Sequence, residues 1–397
     1  MSEGRGSGWA RLRRDLRRRL RAARDLLLVG FDSLALPLLR VGLRGPGPDL
    51  GSVAVFNLHG GGDLLLSLPC LEQLRCKYPA GRFRLTLYCS PAVIELGQLF
   101  APVDHVVGID RNRFVRSLCY RYAALKEMAG NRHAVAVQPT FNRMLSVEDA
   151  LVRATGALER IGSGGSPMFA GPLVRALGDR WYHRLSQTSA APMHELERYD
   201  EFLRASGLPA PERLLPYLAL SDGPPGAALH DYVLVIPDSS NSLKSWPIAR
   251  FEQLAHELAD LSAATLVFAG AADAQRPRRV FQRWRDDRFL DLTGCTSSIE
   301  FLRLIKGARL VIANDSGGLH MAVLLGRPIV AIAGGGLPRR YHPYPPGADA
   351  RLTVVETPLP CYGCNWSCIH EIARGAPAYC IASVTVSQVL EAVRNTL

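Results

Sequence analysis

Three short stretches of this sequence bring together the glycine, hydroxyl, carboxylate and ammonium groups that anion and sugar chemistry needs. The densest is Asn314-Asp315-Ser316-Gly317-Gly318-Leu319-His320, which follows the apolar run Leu310–Ala313. A strand that ends in a small, glycine-rich turn and opens a helix aims free N–H groups and a partial positive charge at one point, which suits phosphate. Gly317 and Gly318 remove side chains that would hold a phosphate away, and Asp315 is placed to hold a sugar hydroxyl. Ordinary glycine turn chemistry, with His320 as a core histidine, accounts for the same spacing.

The second stretch is Pro237-Asp238-Ser239-Ser240-Asn241-Ser242-Leu243-Lys244-Ser245-Trp246-Pro247. Hydroxyls and a lysine sit between an expected strand and an expected helix, and lysine is a mobile point charge suited to phosphate. A polar loop whose Ser245 caps the helix fits equally well. The third stretch is His59-Gly60-Gly61-Gly62-Asp63. Glycines after a strand allow a tight turn and close approach of a ligand. A carboxylate at the following helix start can take a proton from an incoming hydroxyl, or it can cap the helix. The spacing is not that of a dinucleotide GxGxxG, because Leu65 and Ser67 fall where the last glycine belongs.

The elements that must position these residues follow from periodicity. Ser52–Leu58 reads as a buried strand, followed by a helix over 64–77 with Pro69 near its start, strands at Arg84–Tyr88, Val106–Ile109 and Ala134–Val137, and helices between. A Pro-, Gly- and Ala-rich stretch at 205–230 marks a boundary. The pattern then restarts with strands at Tyr232–Ile236, Thr265–Ala269, Leu310–Ala313 and Ile329–Ile332. Helices are expected at 247–261, 298–307, 319–325 and 386–393. Strands alternating with helices argue for parallel sheets covered on both faces. The expected organisation is an N-terminal extension over 1–45, one α/β domain over 51–215 and a second over 230–397. In such sheets ligands bind beyond the carboxyl ends of the strands, where all three stretches lie.

The 397 residues, 48% hydrophobic and 21% charged, exceed one ordinary core and fit two globular domains. The net charge of +11 is uneven, since residues 1–45 hold eleven arginines against Glu3, Asp15, Asp25 and Asp32. Most of the basicity thus belongs to one segment, no aromatics interleave with it, and a nucleic-acid-binding body is not required. Residues 1–8 read as disordered, 9–29 as a basic amphipathic helix with Leu12, Leu16, Leu20 and Leu27 at helical spacing, and 42–51 as a linker. The helix suits either an anionic inner leaflet or packing on the domain or a partner. No secretory signal or bilayer-length apolar stretch is expected, and scattered cysteines suggest a reducing, cytoplasmic setting.

In order along the chain, these motifs resemble glycosyltransferase family 9, the lipopolysaccharide heptosyltransferase family. The resemblance rests on Gly62-Asp63 with Pro69, Lys244-Ser245-Trp246-Pro247, Thr293-Gly294, Asp315-Ser316-Gly317-Gly318-Leu319-His320-Met321-Ala322 and Gly326-Arg327-Pro328, over roughly 51–397. It implies a GT-B fold, with two Rossmann-like doubly wound domains facing a cleft, the first for the acceptor and the second for the donor. It implies inverting, metal-independent transfer of a heptose or similar sugar from a nucleotide-diphosphate sugar, typically ADP-heptose, to a lipopolysaccharide core or related lipid-linked saccharide. Asp63 would be the base, on an acceptor-side loop with Gly61 and Gly62. Lys244 would stabilise the departing diphosphate, Ser316, Gly317 and Gly318 would present N–H groups to it with Ser239 or Ser240 assisting, and Asp315 would bind the sugar, with His320 in the same turn. The lead His59-Gly60-Gly61, the run Gly334-Gly335-Gly336 and the basic extension depart from the family pattern. Other readings are another GT-B enzyme, such as a nucleotide-sugar epimerase, or an inactive nucleotide-sugar-binding protein, against which Asp63 and Lys244 argue.

Of the nine cysteines, Cys361, Cys364, Cys368 and Cys380 cluster. Four thiolates suit a structural Zn²⁺ or an iron–sulfur cluster, and leave no open position for a catalytic metal. A compact loop of reduced thiols, or disulfides formed on purification, is the alternative.

Overall fold

A computed structural model of the chain describes residues 3–42, 47–166, 172–189, 191–215, 218, 220, 229–239, 241–261, 264–270, 288–348 and 350–397. Two compact units divide it, the first Arg11–Leu214 and the second Leu215–Leu397 with Met1–Ala10.

The first unit holds a parallel sheet of six strands: β1 (Asp49–Asn57), β2 (Arg84–Cys89), β3 (His105–Gly108), β4 (His133–Gln138), β5 (Glu159–Ser163) and β6 (Arg184–Ser186). Their order across the sheet is β3-β2-β1-β4-β5-β6. Val53, Ala54, Val55 and Phe56 are all fully buried, as a strand covered on both faces requires. The expected first helix is two, α2 (Gly61–Leu66) and α3 (Leu68–Lys77). Pro69 lies at the start of α3, where its missing N–H disturbs no bond, and Ser67 Oγ closes α2 by donating to Leu64 O at 2.7 Å. Strands β5 and β6 were not expected; they are short and contain Gly162 and Arg184 instead of a continuous apolar run.

Helix α1 spans Glu3–Gly42 without a break, so residues 3–8 are helical, not disordered, and the helix runs past Val29. Its second half packs on the first unit through Leu28, Val29, Ala35, Leu36 and Leu39, all buried. Leu36 and Leu39 share a core with Ala54, Phe56, Leu125 and Leu151. Asp32, fully buried, pairs through both carboxylate oxygens with the equally buried Arg121, the Nε contact being 2.6 Å. Among the described residues no helix is long and apolar enough to cross a membrane.

The second unit repeats the design with β7 (Tyr232–Ile236), β8 (Thr265–Phe268), β9 (Phe289–Asp291), β10 (Leu310–Asn314), β11 (Ile329–Ile332) and β12 (Leu352–Val355). All pairs are parallel, in the order β12-β11-β10-β7-β8-β9. Val233 and Val235 pack with Trp246, Phe251, Leu254 and Leu258 from helix Ile248–Leu261 and its entry, and with Val389, Leu390 and Val393 from helix Val386–Thr396. In each unit the strand order reverses beside the first strand, between β1 and β4 or between β7 and β10. Doubly wound sheets bind ligands beyond the strand ends at such a reversal.

Candidate functional site

The reversal in the second unit brings two of the three motifs together. Loop 237–247 leaves β7, turn 314–320 leaves β10, and the strands are neighbours with Ala313 opposite Ile236. Asn314, fully buried, ties the two loops: its Nδ2 donates to Pro237 O at 2.9 Å, and its Oδ1 accepts from Trp246 N–H at 3.0 Å. Its amide side chain thus gives the two loops one fixed spacing.

Across this brace Lys244 Nζ donates to Asp315 Oδ2 at 2.9 Å and to Asp315 O at 3.4 Å. Burial pushes the Asp315 carboxyl up, but the charges of Lys244, His342 and His320 outweigh it and hold the group below the usual carboxylate range. An ammonium has three hydrogens, and Asp315 engages two, which leaves the third for a phosphoryl oxygen. Nζ also lies over the rings of Tyr341 at 5.1 Å and Trp366 at 5.4 Å, two aromatic faces that favour the cation.

Helix Gly317–Leu324 starts beside this pair with Ser316 as N-cap, and no side-chain cap bond is made there. The Ser316 hydroxyl is buried without a hydrogen-bond partner, and the first helical amides have no intrahelical acceptor. A hydroxyl and amide N–H groups are thereby presented to an anion beside an ammonium. Gly318 has a packing duty as well, since a Cβ there would sit 2.9 Å from Ile236 Cδ1. His320 is buried and its Nδ1 lies 2.7 Å from the Tyr344 hydroxyl. Burial and the Asp315 charge push the Tyr344 phenol far up, so it stays protonated. Ser239 is buried at the end of β7 and bonds Asn241 locally, and Ser240 lies outside the described residues.

No sequence motif marks Trp366 or Tyr362. Their rings occupy the space that Gly335 and Gly336 leave open: a Cβ on Gly335 would fall 1.9 Å from the Tyr362 ring, and one on Gly336 2.3 Å from Trp366. Gly363 N–H and Asn365 N–H donate to Gly335 O and Gly336 O, each at 2.7 Å. Trp366 is held at φ +56°, a strained conformation for a bulky residue. The glycine run after β11 therefore seats aromatic side chains, and one of these walls Lys244. Three glycines in a row were the available signal.

The same loop carries the cysteines. Cys361, Cys364, Cys368 and Cys380 line one small pocket with Tyr362, Trp366 and His370. Burial, then the neighbouring thiols, raise Cys364, and burial raises Cys380. Among the described residues no three His, Cys, Asp or Glu side chains stand in an arrangement that could hold a metal ion, so the four sulfurs share a pocket without forming a ligand cage.

In the first unit the loop after β1 is built around Asn57, which is buried. Its Nδ2 donates to Ser67 Oγ at 3.0 Å and to Asp63 O at 3.3 Å. Gly60 is the N-cap of α2 and makes no side-chain cap bond. Asp63 is then the third helical residue, in the first turn, and not the cap itself. Gly60 has φ −78° and open space where a Cβ would be, so neither backbone nor packing calls for glycine there, which fits close approach of a ligand. Gly61 and Gly62 open the helix, with Gly62 buried. His59 Nδ1 lies 3.3 Å from Arg111, which pairs at 3.1 Å with the fully buried Glu148. Arg111 and Glu148 belong to no motif, so nothing in the local pattern marks them.

The sequence profile of glycosyltransferase family 9 (heptosyltransferase) matches residues 193–365. The chain is similar to lipopolysaccharide heptosyltransferase 2 of Escherichia coli (strain K12), with 26% identity over 149 residues, 34% of this chain and 43% of that protein. The match thus spans less than half of that relative. Among solved structures, E. coli heptosyltransferase WaaC with ADP-2-deoxy-2-fluoro heptose superposes with a TM-score of 0.63 at 17% identity, covering 87% of this chain and 100% of that one. E. coli ADP-heptose lps heptosyltransferase II gives 0.61 at 18%, covering 87% and 98%. At such identities the structures speak for the fold. Over residues 193–365 this chain is related in sequence to glycosyltransferase family 9, and its two Rossmann-like sheets are those of the GT-B fold.

Proposed function

We propose that this protein is an inverting glycosyltransferase that moves a heptose, or a closely similar sugar, from a nucleotide-diphosphate sugar such as ADP-heptose to a lipid-linked saccharide of the lipopolysaccharide core type. The observation that carries this reading is the Lys244–Asp315 pair beside the unpartnered Ser316 hydroxyl at a helix N-terminus, at the strand-order reversal of the second sheet. That arrangement offers a diphosphate an ammonium, a hydroxyl and amide N–H groups in a preformed setting, the usual source of electrostatic rate enhancement. The names of the relatives support the sugar and the acceptor.

The chemistry is a single displacement. Asp63 takes the proton of the acceptor hydroxyl, and the oxygen forms a bond to the anomeric carbon. The bond from that carbon to the diphosphate oxygen breaks, and the nucleoside diphosphate leaves with the electron pair. Lys244, Ser316 and the amides of Gly317 and Gly318 receive its charge, with Ser239 and Ser240 assisting from the β7 loop. Asp315 orients Lys244 and is available to a sugar hydroxyl, and inversion follows from one in-line attack. The nine unpaired cysteines fit a reducing compartment, hence the cytoplasmic side.

Titrating the purified protein with a panel of nucleotide sugars, followed by mass spectrometry of lipopolysaccharide from a deletion strain, tests the reading. Preferential binding of ADP-heptose and loss of a core sugar are expected. An unchanged core would sink the heptosyl assignment. Turnover of a free nucleotide sugar without acceptor would point to an epimerase instead.

A further inference from the structure

Helix α1 is apolar on two opposite faces, and only one of them is covered. The covered face, Leu28, Asp32, Ala35, Leu36 and Leu39, is buried against the first unit. On the other side Leu16, Leu20, Leu27, Leu34, Leu38 and Val41 are all exposed, Leu27 at 76%, Leu34 at 75% and Leu38 at 71%. Successive spacings of four, seven, seven, four and three residues keep these six within an arc of about 60°, and from first to last they span about 37 Å of helix. The stripe lies roughly opposite the buried face, so the body of the unit stands behind it and nothing of the unit shields it. Such a length of exposed leucine on one line is not the scatter of single apolar residues that surfaces normally carry.

The charge beside the stripe says what fits it. Residues 11–24 contain eight arginines and the single acid Asp15. Arg19 and Arg24 lie on opposite flanks of the stripe and are exposed, as is Arg21 further round, while Arg24 also pairs with Asp25 at 3.0 Å. A second copy of this chain laid parallel on the stripe would bring two such arginine clusters together. An anionic lipid surface instead accepts the leucines among its acyl chains and the arginines among its headgroups. We propose that the outward face of α1 is a membrane-docking surface, lying flat in the interface of an anionic bilayer and holding the first unit against it. The proposal goes beyond the transfer reaction and does not depend on it, because docking is measured with neither donor nor acceptor present.

The test is co-sedimentation of the full chain with phosphatidylglycerol/phosphatidylethanolamine vesicles and, separately, with phosphatidylcholine vesicles. Binding to the anionic vesicles that weakens with added salt is expected, with little binding to the neutral ones. The variant Leu20→Glu/Leu27→Glu/Leu34→Glu changes exposed residues only. It should keep the wild-type melting curve and lose roughly a hundredfold in partitioning, whereas Arg19→Gln and Arg24→Gln, on the two flanks, should each cost about fivefold. Wild-type protein that stays in the supernatant overturns the proposal, and so does a triple variant that binds as well as wild type. A wild-type dimer that the triple variant dissolves, with no vesicle binding, assigns the stripe to a second copy and overturns it too.

Discussion

Lys244 and Asp315, 71 residues apart, form one buried ion pair at 2.9 Å, with side chains 15% and 5% exposed. The pair joins the loop after β7 to the turn after β10 and places the ammonium beside a helix N-terminus. Removing one partner of a buried pair strands the other, whereas removing both does not. A double-mutant cycle of Lys244→Met and Asp315→Leu, read by thermal melting, should therefore show strong non-additivity, about 1–3 kcal/mol of coupling. Additive effects would mean that the contact is incidental.

Lys244 also has a predicted catalytic cost. Lys244→Ala should weaken binding of the nucleoside diphosphate and lower kcat by about a hundred- to a thousandfold, as loss of one preorganised oxyanion donor does elsewhere. Asp63 belongs to the other unit, so the same titration separates the two roles. Asp63→Asn should leave donor binding intact and lower kcat by about a hundred- to ten-thousandfold. Unchanged turnover in the Asp63 variant would remove it as the base.

Trp366 is expected to act through Lys244. Trp366→Ala removes one of its two aromatic walls and should raise the donor KM by about fivefold. Gly336→Ala attacks the same contact from beneath, because its Cβ would overlap the Trp366 ring. It should cost about 1–3 kcal/mol of stability in a melt and weaken the donor as Trp366→Ala does. A Gly336→Ala protein with wild-type stability and donor KM would show that the aromatic seat is unimportant.

His133 predicts a pH dependence of stability. Burial, followed by the charge of Arg84, depresses its imidazole from 6.5 to about 4. Its nitrogens lie 2.8 Å from Ser52 Oγ and from the Tyr88 hydroxyl. Above pH 6.5 the ring is neutral in both folded and unfolded chains and costs nothing. Between pH 6.5 and about 4 the unfolded chain binds the proton first, so stability falls as pH falls. The loss should approach roughly 3 kcal/mol, and His133→Gln should flatten that part of the curve in denaturant titrations. An unaltered curve would show that other groups dominate it.

Asp32 and Arg121 fasten α1 to the first unit, and Asp32→Ala leaves a guanidinium buried without its partner. A loss of about 3–5 kcal/mol is expected, seen as a lower Tm and earlier proteolytic release of the N-terminal helix. Resistance to protease equal to wild type would mean that the apolar contacts of Leu36 and Leu39 suffice.

Much of this architecture is local and therefore legible in the chain. The runs at 53–56, 232–236, 310–313 and 329–332 are continuous and apolar, which is what strands buried on both faces require, and all four are strands. The glycine turn after β10 and the lysine loop after β7 carry their chemistry in adjacent residues, so each could be found alone. Short edge strands such as β9 and β12 left no comparable signal, because three or four partly exposed residues have no periodicity to read. What the sequence could not decide is adjacency. Two strands separate β7 from β10 along the chain, and only the packing of the helical crossovers makes them neighbours. Lys244 meets Asp315 for that reason, and Trp366 reaches Lys244 only because Gly335 and Gly336 leave room for the loop that carries it. Periodicity reports how each segment is buried, whereas the partner it is buried against depends on the register and order of the whole sheet. The turn at 314–320 was therefore readable from its residues, and its partners were set by tertiary structure.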